Sequence, residues 1–91
     1  MLSIRDCLDY CDLSQDEVDL FAENTHIPGD AAAQILCGMV QSREGVLILT
    51  QFIQTVIDHA RARGDQPEAR RAMTVYNRFV TNHPPSSAAF H

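Results

Sequence analysis

The chain has 91 residues and a mass of 10.2 kDa, which accommodates one small domain and leaves little room for a second. It is 45% hydrophobic and 21% charged, the balance of an ordinary globular protein. Twelve Asp and Glu face seven basic residues, all Arg, giving a formal net charge of −5 that argues against nucleic-acid or anionic-membrane binding.

The opening residues, MLSIRDCLDY, carry an acid by position 6 and no apolar stretch of the secretory type, so a cytoplasmic location is the expectation. The longest uncharged run, 45–57, is interrupted by Thr50, Gln51, Gln54 and Thr55 and is too short and polar to cross a bilayer. Arginine without lysine, together with frequent alanine, hints at a bacterial source with a GC-rich genome. No P-loop, dinucleotide fingerprint, HExxH or CxxC is present.

Five helices and no strand are predicted, over about 4–12, 15–24, 28–41, 43–63 and 66–83. In the first, Ser3 and Asp6 form a weak start signal, and Ile4, Cys7, Leu8 and Cys11 share one stripe. The second begins at Ser14, with Glu17 completing a capping box and Leu13 and Val18 a hydrophobic staple. Its expected inner face is Val18, Phe21, Ala22 and Thr25.

Pro28 suits the start of the third helix. Ala31, Ala32 and Ala33 there allow close approach of a neighbour, and Gly38 reads as a kink or a tight crossing. Ser42 can cap the fourth helix, whose stripe is Val46, Leu49, Phe52, Ile53, Val56, Ile57 and Ala60. Leu47 and Ile48 widen that stripe until the first half is apolar nearly all round, which predicts a central helix or a second buried face at an interface.

Gly64 reads as a terminator, and Asp65 with Glu68 as the next cap. The fifth helix presents Ala69, Ala72, Met73, Tyr76, Phe79 and Val80, and Pro84 and Pro85 stop it. Tyr76 and Phe79, with Tyr10 upstream, read as edges of the core. The expectation is a single helical domain over 1–83 with a mobile tail over 84–91. Short connections make the fourth and fifth helices an antiparallel pair, with the three shorter ones folded across it.

Charge is uneven. Residues 1–42 carry eight acids against Arg5 alone, whereas residues 43–91 carry six Arg against four acids. Internal pairing between the halves explains this, as does recognition of a basic or second molecule by the acidic half.

Cys7 and Cys11, one turn apart, could both reach a soft metal ion, with Cys37 and His26 as further candidate ligands and His59 within the same set. Their apolar settings point instead to plain core packing, since free cysteine behaves as a small hydrophobe. No cofactor is predicted. Cys37 with His26 is a conceivable nucleophile pair, but no oxyanion device or orienting third group accompanies it, so no catalytic residue is assigned.

Residues 18–36 have the skeleton of a helix-turn-helix, with His26 where the turn commonly has Gly. The second helix of that skeleton offers Gln34 but no Arg or Lys. DNA contact would have to come from Arg61, Arg63, Arg70, Arg71 and Arg78.

Three functions are thereby framed. The leading one is a non-enzymatic interaction or regulatory module, self-associating or partner-binding. The others are a thiol-based metal, cofactor or redox sensor, and a DNA-binding regulator.

Overall fold

A computed structural model describes Leu8 and residues 11–83. Among these residues the protein is entirely helical, with α1 (Gln15–Thr25), α2 (Gly29–Met39), α3 (Arg43–Ala62) and α4 (Gln66–Asn82). Among the described residues four helices stand, against the five expected over the whole chain. The expected 4–12 helix lies outside the described residues apart from Leu8, which is helical and buried, and so does the expected 84–91 tail.

Three chain reversals use one device. Leu13 N–H donates to Leu8 O at 2.9 Å, Ile27 N–H to Ala22 O at 3.3 Å, and Asp65 N–H to Ala60 O at 2.8 Å. Each spans five residues, and each needs the residue before the donor to be left-handed. Those residues are Asp12 (φ 55°), His26 (φ 59°) and Gly64 (φ 75°). Glycine, the residue that adopts this conformation without strain, fills one of the three.

The helix starts follow the predicted caps at Ser42 and Asp65. Gly45 N–H donates to Ser42 Oγ at 3.0 Å, and Glu68 N–H donates to Asp65 Oδ1 at 3.2 Å. At Ser14 a side-chain bond stands in place of the predicted capping box. The Ser14 hydroxyl donates to Glu17 Oε1 at 3.1 Å and accepts no amide.

The long helices α3 and α4 form the most extensive contact in the fold. Gln54 meets Tyr76 and Arg61 meets Met73, so the two run antiparallel. Arg71–Glu23 and Arg78–Asp16 set α1 antiparallel to α4 along its other side. Helix α2 packs against both α1 and α3. The Cα extents of 41 × 33 × 17 Å match two helix layers stacked roughly 8–10 Å apart.

The core joins all four helices through Val18, Leu20, Leu36, Leu49, Ile53 and Phe79. The predicted α3 stripe is buried throughout except for Phe52, which is half-buried against Phe21 at 5.2 Å between rings. Three inner-face expectations are corrected. Leu20 is fully buried and Glu17 nearly so, because α1 is covered on two sides, by α2 and α4. On α4, Val75 is buried and Met73 is exposed, because α1 covers the flank bearing Arg71 and Val75 and leaves the Met73 flank open. Finally, Gly38 meets nothing within 4 Å, and the close crossing is at Gly45.

Gly45 explains the early end of α2. A Cβ there would fall on the Met39 carbonyl. The chain leaves the helix at Met39, turns through Gln41 N–H to Gly38 O at 3.3 Å and Ser42 N–H to Met39 O at 3.3 Å, and enters α3 over that glycine. The predicted third helix therefore stops two residues short of 41.

Candidate functional site

Of the candidate ligands, Cys11 and Cys37 are brought together. Both are buried, and Cys11 Sγ lies 3.9 Å from the Cys37 carbonyl oxygen, a long thiol contact. Gln41 Nε2 donates to Cys11 Sγ at 3.7 Å. His26 is exposed at the α1–α2 turn, and Cys7 falls outside the described residues. Among the described residues, no group of three or more His, Cys, Asp or Glu is arranged to hold a metal ion. Cys11 and Cys37 belong to the core cluster.

The helix-turn-helix skeleton does form as α1, a turn at His26, and α2. Its second helix exposes Asp30, Gln34, Ile35 and Gly38 and no cation. Three of the five arginines required for DNA contact are in ion pairs. Arg71 bonds both carboxylate oxygens of Glu23, at 2.8 and 3.0 Å, and also Glu68 at 3.2 Å. Arg78 pairs with Asp16, and Arg63 with Asp65. The Arg71–Glu23 and Arg78–Asp16 pairs join the acidic and basic halves. Their hydrogen bonds push the Arg71 guanidinium up and hold Glu23 below the usual carboxylate range.

Two surfaces remain open. On α3, Ile48 is 55% exposed and Leu47 39%, and Ile35 on α2 is exposed as well. No residue from Gly45 to Ile57 is charged. Between α3 and α4 lies an open groove of about 410 Å³, lined by residues that include Ile57, Asp58, Arg61, Met73 and Tyr76. Leu47 sits seven residues before Gln54, another lining residue, and so continues that wall by helical repeat. Arg61 Nη2 lies 3.3 Å from Met73 Sδ within it.

A second cluster was not legible in the sequence. Glu17 is 5% exposed and its Oε2 has no hydrogen-bond partner. Burial raises its pKa, against the opposing influence of Ser14, His83 and Arg78. His83 follows α4, stacks on Phe79 at 4.9 Å, and puts Nε2 2.9 Å from the Cys11 carbonyl oxygen. Its Nδ1 is buried without a partner. In the sequence Glu17 serves as half of a cap and His83 as the residue before a proline stop, so neither carries a signal of a buried, unpartnered atom.

No protein family, curated protein or solved structure matches the chain. No described helix is long and apolar enough to cross a membrane.

Proposed function

We propose that this protein is a non-catalytic interaction module that associates through the exposed aliphatic surface of α3, with a second copy as its partner. The observation that carries this is the exposure of Leu47 and Ile48 side by side on the central helix. Isolated apolar residues on a surface are ordinary, but here they extend an uncharged stretch of thirteen residues from Gly45 to Ile57. At a net charge of −5, two copies carry a net mutual repulsion. The α3 surface lets them meet without opposing like charges. The Cys11 thiol suits a reducing compartment, in keeping with a cytoplasmic protein.

Sedimentation over a wide concentration range tests the reading. Wild-type protein is expected above its 10.2 kDa subunit mass, and Ile48→Asp is expected at it. A wild type that stays at the subunit mass at every concentration refutes self-association.

A thiol-based role is the alternative, supported by the adjacency of Cys11 and Cys37. It requires extra mass or a chromophore that disappears in Cys11→Ser.

A further inference from the structure

We propose that two copies of this chain pack with their α3 helices antiparallel, each placing Leu47 in the α3–α4 groove of the other and Glu44 against Arg61 of the other. This rests on the self-association read from Leu47 and Ile48 and specifies its geometry. Glu44, Leu47, Gln51, Gln54, Asp58 and Arg61 are all exposed and follow one another at alternating steps of three and four residues. That is the period of a coiled-coil seam, so the six form one row along the open face of α3. The row is symmetric about its midpoint, between Phe52 and Ile53. Laid end for end on a second copy, it sets Glu44 opposite Arg61, Leu47 opposite Asp58 and Gln51 opposite Gln54.

A side chain on such a seam packs as a knob into a hole made by four residues of the facing helix, at i, i+3, i+4 and i+7. For Leu47 those four are Gln54, Ile57, Asp58 and Arg61 of the second copy, and all of them line its open groove of about 410 Å³. Met73, 40% exposed, adds an apolar wall from α4. Each copy thus carries a knob in the first half of α3 and a hole in the second. Antiparallel packing brings each knob to a hole. Ile48, the next residue, flanks the row at the rim of the contact.

Charge selects the same direction. Among the described residues, neither Glu44 nor Arg61 is in an ion pair. Arg61 has Met73 Sδ as its neighbour at 3.3 Å, a weak acceptor that leaves most of the guanidinium donors available. An antiparallel dimer pairs Glu44 with Arg61 twice, once on each side of its axis. A parallel one sets Glu44 against Glu44, Asp58 against Asp58 and Arg61 against Arg61, which is repulsive at every charged step. The two cross-copy pairs also offset part of the repulsion between molecules of net charge −5.

The test is sedimentation equilibrium of charge reversals, alone and mixed. Glu44→Arg sets two guanidiniums together on both sides of the axis, and Arg61→Glu sets two carboxylates together. Each variant is expected to self-associate at least about tenfold more weakly than wild type. An equimolar mixture of the two is expected to regain association as a heterodimer, because every guanidinium then meets a carboxylate. Isotope-filtered NMR on mixed labelled and unlabelled wild type needs no substitution and should show contacts from the Leu47 methyls of one copy to the Met73 methyl of the other. Should a variant fail to fold, those contacts decide alone. A wild type that stays at the subunit mass at every concentration overturns self-association and this geometry with it. A wild type that associates while the single reversals associate equally well, or whose mixed reversals gain nothing, leaves self-association standing and overturns the antiparallel register. So does a dimer without Leu47–Met73 contacts between copies.

Discussion

Replacing Gly45 by Ala should damage this fold although alanine is the better helix former. The gain in helix propensity is about 1 kcal/mol. Against it stands a Cβ placed on the Met39 carbonyl, with backbone atoms as the nearest obstacles. Backbone cannot rotate away as a flexible side chain can, so the α2–α3 turn must open. Overpacking of this kind costs typically 1–3 kcal/mol and occasionally more, and an immovable neighbour puts this site at the upper end. The net expectation is a loss of about 2 kcal/mol, or roughly 8–16 °C in the unfolding midpoint of a domain this size. Gly38 supplies the control. It lies in the last turns of α2, and nothing stands within 4 Å of an added Cβ. Gly38→Ala should therefore gain up to about 1 kcal/mol. Thermal melts followed by far-ultraviolet circular dichroism measure both. Equal or greater stability in Gly45→Ala would refute the close crossing and with it the packing of α2 on α3.

Other consequences are smaller. His26→Gly relieves a left-handed side chain at an exposed helix end and should stabilise by about 1 kcal/mol in denaturant titrations, whereas Gly64→Ala should destabilise by a similar amount. Ser42→Ala removes the acceptor for Gly45 N–H and should cost about 1 kcal/mol by the same assay. Arg71→Ala should cost only about 0.5–1 kcal/mol, and less in high salt, because its partner Glu23 is more than half exposed. Because Arg71 lowers the Glu23 pKa, that contribution is present above the ordinary glutamate value of about 4.3 and is lost as pH falls through the lower folded value. An acid titration of stability in wild type and Arg71→Ala should diverge above that range and converge below it.

Much of the fold was readable because hydrophobic spacing and caps agreed. The α3 stripe from Val46 to Ala60 is buried as its period requires, and the caps at Ser42 and Asp65 sit where the sequence puts them. Gly64 ends α3 with the positive φ that its residue type allows. What failed depended on which second neighbour a helix meets. Leu20 lies beside the predicted stripe of α1 and is buried because α4 covers a second flank, information held in residues fifty or more positions away. Gly38 and Gly45 are indistinguishable by local sequence, and the crossing of α2 over α3 separates them. The pairing of Arg71 with Glu23 and Arg78 with Asp16 follows the charge asymmetry of the two halves, but the partners could not be assigned before α1 and α4 were set antiparallel. The buried, unpartnered atoms of Glu17 and His83 were opaque for the same reason, because their burial depends on elements far from the cap and the helix end to which local sequence assigns them.

The central functional claim is that the exposed aliphatics of α3 are a contact surface. Methyl-resolved NMR over a concentration series addresses it at the residues themselves. Association through α3 predicts concentration-dependent shifts at Leu47 and Ile48, with the buried methyls of Leu20 and Ile53 unmoved. Invariant Leu47 and Ile48 signals across the series, or shifts confined to the Met73 side of the groove, would contradict it.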